Sequence, residues 1–113
     1  MVKTVLGIHI IFLNVSYAPT ADSDVQRYYE KCLDVSETQQ LIFNFNSQAP
    51  FSFNLHYHDE GEVYYEIKED SVAVFDFTFK PEKRAYYCLM WGNTGAEKVE
   101  MKYELIIQNR SSN

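Results

Sequence analysis

An all-β protein, an antiparallel β-sandwich of about seven to eight short strands with a jelly-roll-like order, is what this sequence predicts. Three observations predict it. Nine tyrosines and eight phenylalanines make the chain unusually aromatic, and aromatic residues suit a pleated, half-buried surface. Apolar and polar residues alternate with a period of two through several runs between Phe51 and Ile107, the pattern of strands with one buried face. Turn-forming residues interrupt these runs every eight to twelve positions or so, as in sandwiches.

Residues 1–18 are set apart as an export signal. Lys3 supplies the positive start, Thr4 to Val15 is an apolar run of signal length, and Ser16-Tyr17-Ala18 places small residues where a signal peptidase reads, predicting cleavage after Ala18. His9 and Asn14 inside the run leave a second reading open, an N-terminal strand packed in the domain. The run is too short for a transmembrane anchor, which needs about 18 or more apolar residues. The mature chain is therefore expected to be one domain, 19–113, without membrane insertion.

After a polar lead from Pro19 to Asp24, Val25 to Leu33 reads as a strand in preference to a short helical turn. Asp34 to Thr38 breaks the chain, and Gln40 to Asn46 alternates Leu41, Phe43 and Phe45 against Ile42, Asn44 and Asn46. Ser47 to Pro50 reads as a turn, since proline is a poor continuation of a strand interior. Phe51 to His58 puts Phe51, Phe53, Leu55 and Tyr57 on one face and Ser52, Asn54, His56 and His58 on the other. Asp59-Glu60-Gly61-Glu62 is a hairpin turn in which Gly61 supplies a positive φ. Val63 to Lys68 and Val72 to Phe79 are expected as separate strands across a Glu69-Asp70-Ser71 turn. Ala85 to Trp91 follows the break at Pro81 to Lys83, and Glu97 to Ile107 closes the domain with the most regular alternation of all.

A chain of 113 residues holds one core. Its net charge of -6 and pI near 4.9 exclude nucleic acid as a partner, because phosphate contacts need clustered Lys and Arg and the ten present are scattered. Anionic membrane surfaces are disfavoured for the same reason. Export to a secreted or periplasmic location alters how the two cysteines read: in an oxidising compartment Cys32 and Cys88 are expected as a structural disulfide, not as two buried thiols.

Phe75-x-Phe77-x-Phe79, the break at Pro81, Tyr86-Tyr87-Cys88-Leu89-Met90-Trp91-x-Asn93 and the Val99 to Ile107 strand together resemble the closing half of a GOLD domain, the luminal domain of early-secretory-pathway cargo receptors. Lys31-Cys32-Leu33 matches that family's opening cysteine. The resemblance covers roughly residues 28 to 107 and implies a GOLD-like sandwich with Cys32 bridged to Cys88. After Ile107 there is no coiled coil, transmembrane helix or cytosolic tail of the kind those receptors use for transport. The resemblance thus implies a free-standing exported domain such as a bacterial envelope holds.

Catalysis finds no motif. There is no Gly-x-Ser-x-Gly elbow, no phosphate-cradling loop and no nucleotide fingerprint among four glycines. Asp59-Glu60 and Glu69-Asp70 fall in predicted turns, where carboxylates are solvated. The protein is accordingly expected to be no enzyme and to need no cofactor. His56-Tyr57-His58 is the one constellation with chemical potential: two imidazoles on one strand face, Asn54 behind them, suit a divalent transition metal, copper, zinc or nickel. Met90 and a reduced Cys88 would add soft ligands, whereas a bridged Cys88 excludes a copper–thiolate site. The same histidines also read as hydrogen-bonding surface groups, and further as a pH-sensitive pair. Asn54, Tyr64 and Tyr86 are the expected ligand-binding face, and Trp91 is expected in the core beside Tyr87 and Leu89. Two functions follow as expectations: a binding module for a protein, peptide or glycan, or a small metal-handling protein using His56 and His58.

Overall fold

The computed structural model describes residues 15–17, 20–25 and 27–110, and every regular element among them is a β-strand. In chain order these are β1 (Val15–Tyr17), β2 (Thr20–Val25), β3 (Tyr28–Val35), β4 (Gln39–Asp59), β5 (Glu62–Phe79), β6 (Ala85–Gly92) and β7 (Val99–Asn109). All pairings are antiparallel. Five strands lie on one hydrogen-bonded path, β1-β7-β4-β6-β3, while β2 also pairs with β7 and β5 pairs with β4. No helix among the described residues is long and apolar enough to cross a membrane.

Strand β4 organises the rest. At about 3.3 Å per residue a straight strand of its length spans roughly 70 Å, more than the molecule's longest extent of 50 Å. It therefore bends, and the pairing with β5 shifts register between Asn46 and Phe51. Before the bend its second edge pairs with β7, from Gln39 to Ser47; beyond it that edge pairs with β6, from Ser52 to His56. Pro50 sits in the skipped stretch, where its missing N–H removes no ladder bond. Ser47 Oγ donates to the Ala49 carbonyl at 2.6 Å and holds the bend locally.

This corrects the expected strand breaks at Ser47–Pro50 and Glu69–Ser71. Both are bends inside continuous strands. The reason is register: residues 47–50 are extra on β4 between the pairs Asn46–Val74 and Phe51–Val72, and Asp70 and Ser71 are extra on β5 between Phe51–Val72 and Phe53–Glu69, so the two irregularities lie next to each other along the hairpin and each strand continues past its own. The stretch expected as a polar lead from Pro19 to Asp24 is also corrected, since Thr20–Val25 forms β2 by pairing along β7; the other strands hold with small shifts of boundary. Residues 28–35 form a strand, and in β7 Val99, Met101, Tyr103, Leu105 and Ile107 are buried while Lys102 and Glu104 are exposed. The predicted cleavage site at Ala18 lies outside the described residues. The neighbouring Val15–Tyr17 pairs with β7 at Ile107 and Gln108.

One apolar cluster joins both halves of the bent hairpin. Trp91 is fully buried at its centre, with ring centroids 5.4 Å from Phe53, 5.6 Å from Phe45 and 5.5 Å from Tyr103. Those three partners come from both sides of the bend in β4 and from β7, so Trp91 is a core residue, as expected.

Candidate functional site

Residues directly opposite one another on antiparallel strands share a face, so the pairings define rows across the sheet. One row runs Cys32, Cys88, His56, Tyr65 across β3, β6, β4 and β5; the next runs Glu30, Met90, Asn54, Lys68. Both lie on the face opposite Leu55, Leu89 and Trp91. Cys32 and Cys88, opposite each other in register, form a disulfide.

His56 is buried although it lies on this outer face, at 5% relative exposure. Glu30, the disulfide and two flanking rings cover it. The His58 ring sits edge-on at 5.2 Å and the Tyr65 ring is tilted at 5.8 Å. Asn54 Oδ1 accepts a hydrogen bond from His56 Nδ1 at 2.6 Å, which leaves Nε2 as the ring's free lone pair. That Nε2 faces Glu30 Oε2 at 3.4 Å. Burial is the main influence pushing the His56 pKa below its ordinary value; Glu30 opposes the shift and His58 adds to it. The burial thus favours the uncharged ring, whose Nε2 is turned toward the Glu30 carboxylate.

Ligand atoms of Glu30, His56 and Cys88 all lie within 4.8 Å of one another. The expected pair His56 and His58 is thus brought together, but among the described residues the converging donors are Glu30, His56 and the bridged Cys88, with His58 exposed beside them. The expected ligand face of Asn54, Tyr64 and Tyr86 is not assembled. Asn54 and Tyr86 belong to the outer face, whereas Tyr64 pairs with Tyr57 and stacks on it at 5.2 Å, on the face that leads into the core through Tyr87. A two-residue hairpin loop at Glu60-Gly61 already fixes this register, because counting back from Asp59 opposite Glu62 puts Tyr64 opposite Tyr57 and Tyr65 beyond it. Glu30 had a signal too: it lies two residues before Cys32, on the same strand face.

The second notable surface is β5. Among the described residues it pairs with β4 alone, leaving one backbone edge of an 18-residue strand open. Of the seven exposed large hydrophobic residues among those described, five lie on it: Val63, Tyr64, Tyr65, Val74 and Phe77. Glu62, Glu66, Glu69, Asp70 and Asp76 accompany them against the single cation Lys68, whose ammonium lies 4.7 Å from the Tyr65 ring centre.

No protein-family model matches this chain, and no curated protein matches it.

Proposed function

We propose that the chain is an exported, non-enzymatic binding module, a GOLD-like β-sandwich whose open β5 edge takes a basic, extended peptide segment of another protein. The carrying observation is that edge: a long strand, hydrogen-bonded on one side, rich in exposed aromatic residues and acidic. Unpaired N–H and C=O groups of an edge strand template the addition of another strand, with alternate side chains supplying specificity. Net negative charge along β5 disfavours a second copy of the same edge and favours Lys- or Arg-bearing segments. A glycan fits less well, because a sugar platform needs rings on a common face and Tyr64 and Tyr86 are on opposite ones.

The sandwich part of the proposal is supported by ring contacts between strands that share no ladder, such as Trp91 of β6 with Tyr103 of β7. Kinship with GOLD domains is supported by the bridge between Cys32 and Cys88, the pairing that the resemblance implies. Export is supported by the same disulfide and by the signal-like residues 1–18. Cleavage after Ala18 removes β1 and leaves β2 on the outer edge of β7.

The test uses fluorescent octapeptides of alternating Lys and Val, and of alternating Glu and Val, titrated into the purified protein. The lysine peptide is expected to bind with an affinity that falls with salt, and the glutamate peptide to bind at least tenfold more weakly. A triple variant, Glu66→Lys with Glu69→Lys and Asp76→Lys, folded by circular dichroism, should lose the lysine peptide. Equal binding of the two peptides, no binding of either, or an unaffected triple variant overturns the proposal.

A further inference from the structure

The disulfide and the His56–Glu30 contact belong to one cluster, and that cluster has two chemical states. We propose that reduction of the Cys32–Cys88 disulfide opens a zinc site whose ligands are the two freed thiolates, His56 Nε2 and the Glu30 carboxylate. This is separate from the peptide edge of β5 and does not depend on it.

The ligand set is preformed in most respects. Two sulfurs, one imidazole nitrogen and one carboxylate oxygen complete a tetrahedral zinc shell, with bonds of about 2.0–2.3 Å. Neighbouring ligand atoms in such a shell are roughly 3.3–3.8 Å apart. Glu30, His56 and Cys88 already hold theirs within 4.8 Å, so shifts of about 1 Å bring them to bonding geometry. Cys32 is opposite Cys88 in register, with Cα atoms 4.0 Å apart, and once the bridge is cut, rotation about the two Cα–Cβ bonds lets the sulfurs separate to the roughly 3.8 Å that a shared zinc requires.

Orientation is also in place. Asn54 Oδ1 takes the Nδ1 proton of His56 and aims Nε2 at Glu30. A carbonyl or carboxylate partner on the far nitrogen is the usual way a metal-binding imidazole is fixed. His56 and Cys88 are both buried, while Glu30 is 43% exposed in its side chain and provides the entry path.

The redox step balances with an external dithiol as the reductant. Its thiolate attacks one sulfur of the bridge, the Cys32–Cys88 bond breaks, and two electrons pass to the protein sulfurs while the dithiol closes to its own disulfide. Two thiol protons then leave to solvent as Zn²⁺ binds. The oxidised protein keeps only His56 and Glu30 as donors and is closed to zinc. Zinc suits the site because it has no redox chemistry of its own, whereas Cu²⁺ would reoxidise the thiols.

The experiment is a titration of the full chain with Co²⁺ as a spectroscopic stand-in and with Zn²⁺ in competition, before and after reduction by a phosphine. The reduced protein is expected to bind one Co²⁺ with tetrahedral ligand-field bands and a thiolate charge-transfer band, and to bind Zn²⁺ at least 100-fold more tightly than the oxidised form. Glu30→Gln removes a charged ligand and should weaken zinc at least tenfold, and His56→Ala should weaken it further. Equal affinity in both redox states, no charge-transfer band, or affinity unmoved by His56→Ala overturns the proposal. Should reduction unfold the chain, zinc is expected to restore the folded far-ultraviolet spectrum of the wild type and not of His56→Ala, since metal binding is then folding free energy; no recovery in the wild type counts equally against the site.

Discussion

Tyr87 shows how one side chain ties packing to solution behaviour. It is buried between Tyr57 and Phe79, and its hydroxyl donates to the Lys83 carbonyl at 2.8 Å. Burial pushes its pKa up to about 12. The folded state thus keeps the phenol proton to higher pH than the unfolded chain, whose tyrosines ionise near ~10. The stability this contributes is fully present below about pH 10 and is lost as the pH rises toward 12, a loss on the order of 2 kcal/mol. Urea unfolding measured from pH 9 to 12 should show that decline, and Tyr87→Phe should flatten it. Tyr87, Leu89 and Trp91 were legible as core residues because strand alternation assigns all three at once. Glu30 carried only the hint of sharing a strand face with Cys32, because its contact with His56 arises only when β3 is placed two strands away by pairings of long sequence separation.

Among the elements, the β4–β5 hairpin is both the most legible and the most misread. Its turn was readable: Glu60 has φ 50° and Gly61 φ 83°, the double positive φ of a type I′ loop that glycine and asparagine accept. Glu60→Asn should therefore stabilise the protein by about 0.5–1 kcal/mol, and Gly61→Ala should destabilise it by about 1 kcal/mol. Thermal unfolding of the two variants checks the pair, and shifts of the opposite sign would contradict the turn assignment. Its length was misread because Pro50 and the Glu69-Asp70-Ser71 run carry ordinary turn chemistry. The pairs that resume after each irregularity, Phe51 with Val72 and Phe53 with Glu69, carry both strands past them. The sequence pattern marks where a strand is interrupted, not whether pairing with its partner resumes beyond the interruption.

For the molecule as a whole, the bridge between Cys32 and Cys88 closes a loop of sequence separation 56, worth roughly 4 kcal/mol by restriction of the unfolded chain. Reduction in metal-free buffer should lower the Tm by about 15 °C or more; equal Tm values in the two states would mean that the bridge does not constrain the fold. The all-β class was legible from composition, alternation and turn spacing, and the cysteine pair from the expected export and the family resemblance, while the open β5 edge was not, since which strand ends a sheet depends on the complete pairing order. That edge is where the functional account rests. Its most direct test is amide hydrogen exchange followed by NMR, with and without the alternating Lys–Val octapeptide. Slowed exchange at alternate residues of β5, with β3 at the opposite side of the sheet unchanged, is the predicted result. Unaltered exchange along β5, or protection confined to other strands, would contradict it.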